Sequence, residues 1–286
     1  MGANVAKQFG EMIGDMAHDM HVAGWYAPAM NIHRGAFSGR TFEYFSEDSL
    51  LSGRTFEYFS EDSLLSGVMA SNEIAGAKEK GVYSFMKHFA LNDQETNRTN
   101  MVCAWADEQA IREIYLKPFE MSVKEGGAQA MMSSFNYIGY TYAGASNNLL
   151  NTVLRDEWGF KGFVLTDCFG GYGYQNGDQE IRNGNDSMLA TTKITNHITD
   201  KSATSVKAMR TAAHNILYTT ANGWQYENGE PEVDTPVSHS AIYVVWGVTA
   251  VLAVGLEVLT IMKYLKRRKA VAAVEAPAPA DAPTEA

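Results

Sequence analysis

Cysteine is nearly absent: the 286 residues hold two, Cys103 and Cys168, too few for a disulfide scaffold or a four-thiolate zinc site. Neither belongs to a CxxC or to a Cys/His cluster with ligand spacing. We expect neither a metal nor a cofactor. Basic residues are also in deficit, with Lys plus Arg at 23 against 33 for Asp plus Glu. An acidic surplus argues against a phosphate-backbone partner, so no nucleic acid is expected. The first twenty residues, MGANVAKQFGEMIGDMAHDM, lack the unbroken apolar stretch of an export signal. Charged residues are only 20% and hydrophobic residues 45%, which leaves enough apolar side chain for a sizeable core.

One long apolar run is present. Ala241–Met262 reads AIYVVWGVTAVLAVGLEVLTIM, with Glu257 as its only charge. About 20 apolar residues span a bilayer as a helix, and this run has no polar stripe of the kind a core helix shows. Acidic residues precede it (Glu227, Glu230, Glu232, Asp234), and Lys263, Lys266, Arg267, Arg268 and Lys269 follow it. Positive charge marks the cytoplasmic side. The expectation is a single-pass protein of the cell membrane, with the body outside, the tail cytoplasmic and the lipid bilayer as a partner. Export without a signal then implies that the true N-terminus precedes Met1. The implied division is a body at 1–222, an acidic linker at 223–240, a transmembrane helix at 241–262, and a basic, Ala/Pro-rich tail at 263–286.

Within the body, apolar Val5, Phe9, Ile13 and Met16 predict an opening helix over Val5–Met20. Strand and helix signals then alternate. Strands are predicted in His21–Ile32, Val82–Leu91, Gln129–Ile138, Gly162–Phe169 and a short DSMLA segment. Helices are predicted over Ser63–Lys80, Glu108–Lys124, Asn148–Glu157, around Gln179–Asn183, and over Ala203–Ala221. Such alternation indicates an α/β fold with parallel strands, either a doubly wound sheet or a barrel. Five strands are visible, and a complete barrel needs eight. One repeat stands out: SGRTFEYFSEDSLL at 38–51 recurs unchanged at 52–65. A single perfect tandem copy is not a solenoid. Only one copy fits a native loop, so the other must bulge outward.

In parallel α/β folds reactive groups gather at the C-terminal strand ends. Those ends carry Asn31, His33 and Arg34 with Arg40 or its copy Arg54; Lys87-His88 with Asn92, Asp93, Gln94, Glu95 and Arg98; Ser133, Ser134 and Asn136 beside Phe135; and Thr166-Asp167. Arg, Lys and His around one strand-end Asp, interleaved with aromatics, suit a polyhydroxylated ligand, and a lone Asp can act as a nucleophile.

The segments NIHRGAFSGRTFEYFSED, KHFALNDQETNR, IREIYLKPFEM, MMSSFN and LRDEWGFKGFVLTD resemble, in order, glycoside hydrolase family 3, the group of β-glucosidases and β-xylosidases. AMRTAAHNILYT is similar to the end of its catalytic barrel. The resemblance implies a partial (β/α)8 TIM-type barrel, truncated at its N-terminus. It implies a retaining glycosidase that cleaves terminal β-linked sugars of an oligosaccharide or β-glycoside substrate. Asp167 matches the nucleophile that forms the glycosyl-enzyme intermediate. Lys87 and His88 match the pair that binds sugar hydroxyls, and Arg98 matches a further sugar-binding arginine. Arg40 matches the arginine of a GR motif, with Arg54 an equal candidate, and Met132 falls on a pocket position. Neighbouring Lys and Arg would hold the nucleophile ionised.

Three departures follow. Phe135 stands where many members carry a tyrosine that hydrogen-bonds the nucleophile. Cys168 replaces the tryptophan that often follows it. The early barrel strands and the companion sandwich domain, which supplies the general acid in β-glucosidase-type members, are missing, so that domain is an implied partner. A branch of the family uses a His acid in a KHFPGHG-like segment, but here the chain reads KHFALND. Glu95 and Glu43 lie near in sequence, with nothing to single out either. The alternative is an inactive fragment or a non-catalytic, membrane-anchored sugar-binding protein. The topology has a direct check: protease added to intact spheroplasts should digest the body, whereas a protected body would overturn the orientation.

Overall fold

The computed structural model describes residues 2–32, 59–94, 100–169, 173–189, 197–226 and 240–274. The chain divides into two units, Met1–Glu232 and Val233–Ala286. The first is built on a parallel sheet of four strands in the order β1-β2-β4-β7: β1 (Gly24–Trp25), β2 (Tyr83–Phe89), β4 (Ala130–Ser133) and β7 (Phe163–Leu165). Every pairing in it is parallel. Alternation across the pleat sends side chains to opposite faces. Met86, Met131 and Val164 enter one cluster with helix residues such as Ile74, Phe119 and Leu150. Phe85, Ala130, Met132, Phe163 and Leu165 form a second cluster on the opposite face. Each fully buried large side chain contributes roughly 1.5–3 kcal/mol of transfer free energy.

Helix α1 (Ala3–Asp19) forms where the opening helix was expected, and it packs through small residues. Val5, Phe9 and Met16 are exposed, and the buried face is Ala6, Gly10, Gly14 and Ala17. Small residues let the backbone of α1 approach that of α2 (Ser63–Glu79): a Cβ on Gly10 would lie 2.0 Å from the Glu73 carbonyl, and one on Gly76 would lie 2.1 Å from that of Lys7. Asp62 caps α2, accepting from the amides of Leu64 and Leu65 at 2.8 and 3.0 Å. The second copy of the repeat therefore ends in this helix. The first copy, with Arg40, lies outside the described residues.

Other elements differ in form from the expectation. The helix predicted over Glu108–Lys124 is α3 (Glu108–Ala110), a π turn over Ile111–Tyr115 and α4 (Lys117–Lys124), while Asn148–Glu157 is wound entirely as a π helix. The strand predicted over Gln129–Ile138 divides. Its end, β5 (Tyr137–Ile138), joins β3 (Cys103–Ala104) and β6 (Thr141–Tyr142) in a separate three-stranded sheet. The DSMLA strand is a single bridge, Leu165 to Ser187. Helix α5 covers Gly177–Asn183, and α6 covers Ala203–Ala221 as expected. Trp224, inside the segment read as a linker, packs with the body: it stacks on His18 and its indole donates to the Val22 carbonyl at 3.0 Å.

The second unit is described by one element, α7 (Ser240–Val274). Within it Tyr243–Lys266 is long and apolar enough to cross a membrane, and its side chains are exposed.

Asp186 joins three elements of the body. Its carboxylate accepts from Arg155 at 2.7 Å, from the Val164 amide at 2.8 Å and from Asn215 at 2.9 Å. Asp186 is buried and Arg155 half-buried, with side-chain exposures of 3% and 14%, whereas the pair Arg182–Asp200 is substantially exposed. Removing one partner of a buried pair costs about 3–5 kcal/mol, and an exposed pair contributes about 0–1 kcal/mol. Arg155→Leu should therefore lower the urea midpoint markedly, while Arg182→Leu should move it little; equal effects would refute the assignment.

Candidate active site

The ladder of the parallel sheet continues past its strands. The Ser134 amide donates to the Phe89 carbonyl at 2.8 Å, and the Asp167 amide to the Ser133 carbonyl at 3.2 Å. This places the ends of β2, β4 and β7 side by side, with Lys87-His88, Ser133-Asn136 and Thr166-Asp167 on them. His88 is fixed from β1's side: Asn31 donates its amide to the His88 carbonyl and accepts the His88 N–H, both at 2.8 Å. The imidazole Nε2 then lies 3.7 Å from Asp167 Oδ2. Asp167 Oδ1 accepts the Cys168 amide at 2.7 Å. Both side chains are largely screened from solvent, His88 at 5% and Asp167 at 15% exposure, so their interaction is less attenuated than at a surface.

The sequence-derived residues separate into three groups. Asp167 and His88 come together at the strand ends, and Lys87 precedes His88 on β2. Phe135 is buried next to them, and its carbonyl accepts the Tyr174 hydroxyl at 3.2 Å. Met132 is buried in the apolar cluster with Phe85, Phe163 and Leu165. Arg40, Arg54 and Arg98 lie outside the described residues, as do His33, Arg34, Glu43 and Glu95. Among the described residues no group of His, Cys, Asp or Glu is placed to hold a metal ion.

Sequence reasoning missed the layer that supports the loop after Asp167. Gln175 is buried and donates to the Cys168 carbonyl at 3.3 Å. Rings of Tyr137, Tyr142 and Tyr174 pack edge to face or tilted at 5.1–6.0 Å. Burial pushes the Tyr142 hydroxyl well above the usual tyrosine range, with the charges of Glu180 and Asp167 acting in the same direction. Glu180 is fully buried, and burial raises its carboxyl to about 9. Its Oε1 accepts the Asn176 amide at 3.3 Å, and its Oε2 has no partner among the described residues. Nothing in GDQEIRN signals this, because an acid at mid-helix in a polar segment reads as solvated.

A Lys-His pair and an aspartate on the carboxyl side of a parallel sheet define an α/β protein whose reactive groups sit at the strand ends. The chain belongs to glycosyl hydrolase family 3: the pattern of the "Glycosyl hydrolase family 3 N terminal domain" matches residues 50–215. It is similar to Beta-glucosidase B of Emericella nidulans, 40% identical over 167 residues, which cover 58% of this chain and 18% of that protein. With Beta-glucosidase A of Butyrivibrio fibrisolvens it shares 37% identity over 186 residues, 65% of this chain and 20% of the relative. Beta-glucosidase 3B from Thermotoga neapolitana, solved in complex with glycerol, superposes with a TM-score of 0.68 at 32% identity, covering 79% of this chain and 31% of that one. The neighbours give the fold as TIM-like α/β. The chain spans about a fifth of these two curated relatives' length.

Glu180 carries a pH dependence. A carboxyl raised from 4.5 to about 9 on folding favours the folded state below 4.5 and loses that contribution as pH climbs toward 9. Glu73, raised by burial to about 8, acts in the same direction. Melting temperature should fall between about pH 5 and about pH 9, and Glu180→Gln should recover roughly 5 °C of the loss at the alkaline end. An unchanged pH profile in the variant would refute the assignment.

Proposed function

We propose that the chain is the part of a retaining β-glucosidase that carries the nucleophile, acting on terminal β-linked sugars. The observation that supports this best is the approach of His88 to Asp167 at the ends of adjacent strands, in a chain whose relatives are named β-glucosidases. Asp167 attacks the anomeric carbon and forms the glycosyl-enzyme ester. Lys87 and His88 hold the sugar hydroxyls, and the screened site strengthens contacts that tighten in the transition state. Arg98 and either Arg40 or Arg54 complete the grip. No residue of this chain is assigned as general acid; the companion sandwich domain of the parent protein supplies it. Tyr243–Lys266 anchors the chain in the cell membrane as a single span, with the catalytic body outside and the basic tail in the cytoplasm.

A second reading, sugar binding without turnover, is favoured by Phe135 and Cys168, which remove a hydroxyl and an indole from the pocket the family uses. One experiment separates the two. An aryl glucoside whose leaving group is already a weak base needs little acid assistance, so 2,4-dinitrophenyl β-D-glucoside should react with the nucleophile alone. The expected result is release of one equivalent of dinitrophenolate and a hexosyl adduct on the Asp167 peptide by mass spectrometry. Asp167→Ala should abolish both without loss of circular dichroism. An adduct elsewhere, or equal release by the variant, removes Asp167 from the role; no reaction at all leaves binding as the function.

A further inference from the structure

The small sheet β3-β5-β6 builds a second cavity on the same side of the sheet. It measures about 230 Å³, and its lining includes Asp93, Gln94, Cys103, Trp105, Tyr115 and Asn136. The flank formed by the hairpin is aromatic and open to water. Trp105 is 65% exposed and Tyr140 88%, with the two rings meeting edge to face at 5.1 Å. Strand register fixes Trp105: Cys103 pairs with Tyr137 and Ala104 with Ile138, so the indole follows directly on a paired strand. The indole also rests over the β5-β6 turn, where Gly139 has φ +59 and a Cβ would sit 3.7 Å from the ring.

The remaining lining mixes polar groups with Leu91, Val102, Ala104 and Ala106. Asn136 is 2% exposed, and its amide donates to the Ala90 carbonyl at 3.1 Å. Its Oδ1 is buried with no donor among the described residues. Asp93 and Gln94 bring a carboxylate and an amide to the same cavity. An amphipathic ring beside a few convergent polar groups is the composition of a site for a small polar ligand with an apolar face. A pyranose is such a ligand: its C–H face lies on an indole while its hydroxyls reach carboxylate and amide groups.

We propose that this cavity is a second sugar-binding site, which takes one pyranose unit of a β-glucan independently of the Asp167 site. The choice of a β-glucan as ligand rests on the glycosidase reading above. The lining of this cavity includes neither Asp167 nor His88.

The chain's two cysteines give each site its own reporter, since Cys103 lines the cavity, Cys168 follows Asp167, and both are exposed. The test is alkylation of the full chain by iodoacetamide, read at each cysteine by mass spectrometry, in a detergent without a sugar headgroup. The probes are cellotriose and laminaritriose. At a trisaccharide concentration roughly ten times its Kd, Cys103 should react about tenfold more slowly. That protection should survive Lys87→Ala and vanish in Trp105→Ala and Tyr140→Ala, whose side chains are solvent-exposed. Cys168 should show the reverse pattern. If Cys168 is protected and Cys103 is not, the second site is overturned and the glycosidase reading stands. If only Cys103 is protected, the second site stands and that reading falls. Protection of neither thiol overturns both, and Cys103 protection that disappears in Lys87→Ala overturns the independence of the sites.

Discussion

The parallel ladder between β2, β4 and β7 is the interaction on which the rest of the body depends. Because the three strands run the same way, their C-terminal ends fall on one side of the sheet. Their register, extended by the Ser134 and Asp167 amides, decides which residues meet there. A one-residue slip would send Asp167 to the opposite face and exchange Met132 for Met131 between the two apolar clusters. Burial of both faces is therefore also what fixes the site. The hydrophobic alternation that stabilises the sheet sets the position of the carboxylate relative to His88.

Around that ladder the chain tolerates several unfavourable groups. Glu180, Tyr142 and Asn136 are polar side chains buried behind or beside the strand ends, and Glu180 retains its proton to about 9. Apolar residues of similar size would pack there at lower cost. Their concentration around the strand ends, while both faces of the sheet are filled by apolar side chains, is the pattern expected where a pocket takes precedence over stability. The close approach of α1 and α2 shows the opposite emphasis: glycine and alanine remove side chains so that backbones pack directly.

The extent to which fold and site could be read from the sequence followed the range of the forces involved. Strand–helix alternation and the limits of α2 and α6 depend on neighbours within a few residues, and those local signals were sufficient. The placement of Asp167 and Lys87-His88 at strand ends was legible because apolar runs locate the strands. The packing face of α1 could not be read from hydrophobicity, since Phe9 and Met16 are exposed and the close packing uses Gly10 and Gly14. Division of the segment Gln129–Ile138 was also hidden, since Asn136 and the Gly139 turn redirect the chain only once Ala90 and β3 are in place to receive them.

The sequence alone determined the composition of the chain's parts: a parallel α/β body, a long apolar helix followed by basic residues, and a family motif order from Asn31 to Asp167. Each of these resides in periodicity, charge or local order, which need no partner. Tertiary structure alone decided that Asn31 clamps His88, that Glu180 is buried and keeps its proton, and that Trp105 lines a cavity with Asp93 and Gln94. Those facts join residues up to 57 positions apart, and a burial or a contact at that range exists only after the sheet has brought its strand ends together.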